Sequence, residues 1–109
     1  MKMTILGRGI TLTVAIREYA QRRLETALGR YRDTLASVQV RLADVNGPRG
    51  GIDKHCMIEV RGPALEPIIV RERYSDLYAA IDRAADRLDR TVARRLGRGR
   101  TLSKRPPRP

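Results

Sequence analysis

The chain has 109 residues and carries 23 Lys+Arg against 12 Asp+Glu, a formal net charge of +11 at pH 7. That length fits one domain, its Val, Ile and Leu content suffices for a modest two-layer core, and no apolar run approaches the roughly 20 residues of a membrane span. A single cysteine, Cys56, and a single histidine, His55, exclude internal disulfides, zinc clusters and any catalytic dyad that needs a second residue of either type.

The N-terminal residues Met1 to Arg8 contain no apolar segment followed by a small-residue cleavage site, so the expected location is the cytoplasm. Met3 to Leu6, a short apolar and β-branched run ending at Gly7 and Gly9, reads as a first strand. Thr13 is placed to cap a helix, and Ile16, Ala20, Leu24, Ala27 and Tyr31 recur at helical spacing, predicting a first helix from Val14 to Tyr31 with a last turn weakened by Gly29. Val38, Val40 and Leu42 alternate with Gln39, Arg41 and Ala43 as a half-buried strand does. The turn-rich stretch Asn46 to Asp53 then interrupts the pattern, which resumes with Cys56, Ile58 and Val60 on one side and His55, Met57, Glu59 and Arg61 on the other. Gly62 to Pro67 reads as a second breaker, Ile68 to Arg71 as a fourth strand, and the sheet should be mainly antiparallel in this half.

Ser75 reads as the cap of a second helix over 76–96, with Asp76 in its first turn and Leu77, Ile81, Ala84 and Leu88 along its apolar face. The expected fold is α+β, a two-layer β-α-β-β-β-α domain over residues 1–97 with both helices on one face of a four-stranded sheet. Residues 98–109 read as a disordered basic, Pro-rich tail.

The second helix carries the chemistry. At 100° per residue Arg83, Arg87, Arg90, Arg94 and Arg98 form one arc about 110° from the apolar arc, a stripe about 22 Å long that can follow several phosphates. Asp82, Asp86 and Asp89 form a separate acidic arc. A surface helix ordinarily intersperses its charges to gain i,i+4 pairs of about 0.2–0.5 kcal/mol, so a segregated row points to a polyanion. Arg22, Arg23, Arg30 and Arg32 on the first helix and its exit extend the basic surface, and Lys54 beside His55 is a further phosphate contact candidate. With no Phe or Trp, and four tyrosines on or beside helices, a base-stacking sheet platform is disfavoured. Backbone and shape recognition of structured RNA fits better. No cluster of acid, base and nucleophile suggests an enzyme, and no cofactor, metal or small-molecule substrate is implied.

The segment Asp76-Leu77-Tyr78-Ala79-Ala80-Ile81-Asp82-Arg83-Ala84-Ala85-Asp86-Arg87-Leu88 resembles the second-helix motif of the ribosome hibernation promoting factors and protein Y, a family also described as sigma-factor modulators. Ile10 to Tyr19 resembles the family's strand-to-helix transition, and the likeness covers residues 3–96. It implies a fold similar to double-stranded RNA-binding domains. It also implies binding of the small ribosomal subunit, or the whole ribosome, in the channel between head and body, which would exclude mRNA and tRNA and inhibit translation under stress or slow growth. Arg87, Arg90 and Arg94 match the family's RNA-facing positions, with Arg83 and Arg98 as extensions, and Asp76 and Tyr78 match the motif's start. The chain looks like a short form, monomeric off the ribosome. Its Gly47-Pro48-Arg49-Gly50-Gly51 loop and Pro-rich tail depart from the family pattern and leave open whether it promotes or opposes ribosome dimers. Two other readings stay open: a general structured-RNA binder, and a protein–protein regulatory module that docks through Asp82, Asp86 and Asp89.

Overall fold

The computed structural model describes residues 1–45, 53–63 and 65–104, with side chains up to Leu96. Its order is β1 (Lys2–Arg8), α1 (Val14–Leu28), a 3-10 turn (Gly29–Tyr31), β2 (Ser37–Asp44), β3 (Lys54–Gly62), β4 (Leu65–Tyr74) and α2 (Leu77–Lys104). The sheet order is β1-β2-β3-β4. β1 runs parallel to β2 across the α1 connection, and β2, β3 and β4 are antiparallel neighbours, so the α+β reading holds.

Thr13 caps α1 as expected, its hydroxyl accepting the Ile16 N–H at 3.1 Å. The α-helix stops at Leu28 and tightens into the 3-10 turn at Gly29, short of the expected Tyr31. The cap of α2 is Asp76 and not Ser75: Asp76 Oδ2 accepts the Ala79 N–H and the Asp76 carbonyl accepts the Ala80 N–H, both at 3.0 Å. The carboxylate does as a cap what it was expected to do as a first-turn charge, satisfying a free N–H at the positive end of the helix.

Two boundaries differ more widely. β4 starts at Leu65, inside the expected breaker, with Pro67 within the strand; β4 is an edge strand, where a residue without an N–H is tolerated. Helix α2 runs to Lys104 and not to 96, so residues 98–104, expected as disordered tail, have helical backbone. Gly97 and Gly99 cost the helix about 1 kcal/mol each but do not break it. Residues 105–109 of the expected tail and most of the Asn46 to Asp53 loop lie outside the described residues.

The core lies between the helices and one sheet face. Val38, Val40 and Leu42 of β2, Cys56, Ile58 and Val60 of β3, and Ile68 and Val70 of β4 meet Leu24 and Leu28 of α1 and Ile81, Ala84, Leu88 and Val92 of α2. Gly62 closes the β3–β4 hairpin against the α1–β2 connection, where an added Cβ would stand 2.6 Å from the Thr34 carbonyl oxygen. Gly62→Ala is therefore expected to cost about 1–3 kcal/mol in chemical denaturation, since a backbone atom cannot yield as a side-chain tip can.

Among the described residues, the other sheet face bears no helix. Strand register lines up Leu6, Arg41, Met57 and Arg71 in one row, and Arg8, Ala43, His55 and Arg73 in the next.

Candidate nucleic-acid interface

The apolar arc of α2 faces the sheet, which leaves its two charged flanks facing in opposite directions along the molecule. The acidic flank turns toward α1. Arg23 Nε lies 3.1 Å from Asp82 Oδ1, Arg23 Nη2 also pairs with Asp86, and Arg30 Nη2 lies 3.4 Å from Asp89. Tyr19 donates its hydroxyl to Asp82 and packs edge-on against Tyr78, ring centroids 5.0 Å apart. The three aspartates read as a docking arc thus tie the two helices together. Partial burial opposes the charge on Arg23, but its hydrogen bond to Asp86 and the charges of Asp86 and Asp82 outweigh that and raise its pKa.

The hydrogen bond to Asp82, followed by burial, raises the Tyr19 pKa above its ordinary 10.0. A phenol whose pKa is raised on folding stabilises the fold fully below its unfolded pKa and loses that contribution as pH rises through the folded value. Wild-type stability should therefore fall more steeply above pH 10 than that of Tyr19→Phe, as thermal melts across alkaline pH would register.

The basic flank of α2 lies over the β4 edge, and its members differ. Arg87 Nη1 donates to Glu72 Oε2 at 3.1 Å and to the Arg71 carbonyl at 3.3 Å. Arg83 Nε stands 3.9 Å from Glu72 Oε1, its guanidinium 4.9 Å from the centre of the Tyr74 ring. Glu72 thus holds both side chains in place and offsets part of their charge, although each remains more than half exposed, at 57% and 56%. Arg90 and Arg94 are exposed and make no ion pair among the described residues. The helical backbone includes Arg98, whose side chain lies outside the described ones.

The remaining expected contacts separate. Arg22 is exposed on α1 beside Tyr19, Arg23 and Thr26 around a shallow hollow. Arg30 is shared between Asp89 and the face of Tyr31, 4.9 Å away. Lys54 sits at the end of β3 with Nζ 3.3 Å from Asp44 and 3.1 Å from the fully buried Asp53. The hydrogen bond to Asp53 raises its pKa against a smaller effect of burial, with Asp44 adding to the rise. Lys54 thus neutralises two carboxylates of its own chain, and its charge is directed inward. Sequence reasoning missed Glu72, for which no local signal exists: it is one acidic residue in a strand, and only packing puts α2 above it. Burial, followed by the charge of Glu72, pushes the Cys56 thiol up to about 12, so it is no thiolate at neutral pH. No helix among the described residues is long and apolar enough to cross a membrane.

This arrangement sits on a recognisable scaffold. The family model described as "Sigma 54 modulation protein / S30EA ribosomal protein" matches residues 3–100. The ribosome hibernation promoting factor of Azotobacter vinelandii is 32% identical over 92 residues, 84% of this chain and 79% of that protein. The ribosome hibernation promotion factor of Deinococcus radiodurans is 32% identical over 88 residues, 79% of this chain but 44% of that protein. The chain thus spans less than half the length of the latter relative. Among solved structures, the N-terminal domain of Thermus thermophilus Protein Y is 35% identical with a TM-score of 0.70, the match covering 86% of this chain and 98% of that one. A ribosomal subunit interface protein from Coxiella burnetii shares the fold at 18% identity and a TM-score of 0.74, over 89% and 99% of the two chains. With the α2 motif, the strand order and the match over residues 3–100 in agreement, the chain belongs to the Sigma 54 modulation protein / S30EA ribosomal protein family.

Proposed function

We infer that this protein is a cytoplasmic, non-enzymatic ribosome hibernation factor that binds the small subunit through rRNA phosphates and blocks the channel used by mRNA and tRNA. One observation carries the reading: Arg90 and Arg94 stand without an ion pair among the described residues on a helix anchored to the core, while the neighbouring aspartates are turned away to Arg23 and Arg30. A guanidinium that is already desolvated and paired would lose its partner on meeting a phosphate; one held in place without a partner gains the full charge-assisted contact. Arg83, Arg87 and Arg22 widen the basic surface. Membership of the family and the likeness to ribosome hibernation factors point the same way.

The pairing of Asp82 and Asp86 with Arg23 of α1, and of Asp89 with Arg30 of the 3-10 turn, counts against docking through an acidic arc. The other competing reading, a general structured-RNA binder, is separated by density-gradient sedimentation of the protein with purified small subunits in excess duplex RNA. Stoichiometric co-migration with the subunits is the expected result. Transfer of the protein to the duplex would leave only general RNA binding, and absence from both would overturn the reading.

A further inference from the structure

The sheet face opposite the helices is not the polar surface that a water-facing sheet ordinarily presents. Leu6 is 44% exposed and Ile69 45% exposed; Met57 shares the register row of Leu6, Arg41 and Arg71, and Ile69 lies in the neighbouring row opposite Glu59. Ala43 has no side chain beyond Cβ. Where larger neighbours surround it, the sheet carries an open depression of about 450 Å³, lined among others by Leu6, Met57 and Ala43 and edged by Arg8, Arg41 and Arg71. That volume falls within the range of about 300–1,000 Å³ of small-ligand sites. None of these three arginines makes an ion pair among the described residues. Glu59, the acidic residue on this face of β3, is engaged by Arg61 at 2.6 Å.

An apolar floor ringed by unpaired guanidinium groups fits an unpaired nucleotide: the base covers Leu6 and Met57, an arginine plane stacks on it, and the flanking phosphates meet the remaining arginines. The lack of aromatic residues does not prevent this, since guanidinium planes stack on bases as rings do. The depression also adjoins the α2 stripe around the β4 edge, because Arg87 donates to the carbonyl of Arg71. An RNA strand that leaves a helical region seated on α2 can therefore turn the β4 edge and cross the sheet.

We propose that the open face of the sheet is a second RNA site, which seats an unpaired nucleotide of a single-stranded segment continuous with the structured RNA held by α2. The proposal rests on the reading that α2 binds RNA. It assigns Leu6 and Met57 to the base, and Arg8, Arg41 and Arg71 to base stacking and phosphate contact.

The test compares two probes bound to the full chain: a blunt RNA stem, and the same stem with an eight-nucleotide single-stranded 3′ extension carrying 2-aminopurine. The extension is expected to raise wild-type affinity about tenfold, as a seated base and added phosphate contacts should, and to change the 2-aminopurine fluorescence. Arg41→Glu/Arg71→Glu should abolish that increment and leave blunt-stem binding unchanged. Met57→Glu should do the same, and Arg41→Ala/Arg71→Ala should remove most of it; circular dichroism of each variant verifies folding. Equal wild-type affinity for the two probes would overturn the proposal. So would an increment that survives in the folded variants, or one reproduced by an acidic peptide or a free mononucleotide competing equally well. Failure of the α2 reading looks different: the blunt stem itself would then bind wild type and Arg90→Glu/Arg94→Glu alike.

Discussion

Reversing charge at Arg90 and Arg94 together is expected to lower affinity for the small ribosomal subunit about a hundredfold at 0.1 M salt while leaving the melting temperature unchanged. Each phosphate contact contributes about 0.7 (single strands) to 0.9 (duplex DNA) to the log-log salt slope, so with a similar value on rRNA two contacts amount to between one and two decades at 0.1 M relative to 1 M, and the carboxylates add repulsion. The slope itself should become shallower by about 2. These two positions are chosen because both side chains are exposed and unpaired among the described residues. Arg87 would confound the result, since a carboxylate there would face Glu72, now 3.1 Å from the guanidinium, and the fold would suffer along with binding. Sedimentation across a salt series, with thermal melts of the same preparations, gives both readouts. Unchanged affinity in a normally melting variant would remove α2 as the binding face.

The largest loss of stability is expected from Leu88→Ala. Leu88 is fully buried midway along the apolar arc of α2, between Ala84 and Val92 and above the sheet. Truncation removes buried apolar surface and leaves a cavity that close-packed neighbours fill only in part, at a cost of about 2–5 kcal/mol. Against a typical total of about 5–15 kcal/mol, that is a large share. The urea midpoint should fall with little change in the m-value. Below the melting transition RNA binding should survive, because the arginine flank points away from the core. A cost below 1 kcal/mol would mean that α2 is not seated as described. The same experiment on Asp82→Asn should give a far smaller effect, since half-exposed ion pairs contribute about 1 kcal/mol or less.

The two experiments separate the roles that one helix combines. Its apolar arc holds the domain together, its acidic flank fixes α1, and its basic flank is the face proposed to meet RNA. A 100° periodicity lets one segment meet three neighbours, which is how a chain of this length presents an extended charged surface on a small core.

Much of what depends on spacing within one segment was legible in the sequence: the order of elements, most core positions, the Thr13 cap and the segregation of arginines from aspartates on α2, though not the Asp76 cap or the end of α1 at Leu28. These follow from backbone periodicity and from contacts three or four residues apart, which travel with the residues wherever the segment packs. The breaker read over Gly62 to Pro67 runs too far, because an edge strand tolerates Pro67, and the helix end read at 96 falls short, because helical backbone continues to Lys104 past the apolar periodicity. Only the tertiary structure decided what the charges do. Asp82 and Asp86 find Arg23 across some sixty residues of sequence, Glu72 takes up Arg83 and Arg87, and Lys54 turns inward to Asp44 and Asp53. Strand register alone brings Leu6, Arg41, Met57 and Arg71 into one row. A charge's partner depends on which surfaces pack together, and that is fixed by the fit of the whole core and not by any local pattern.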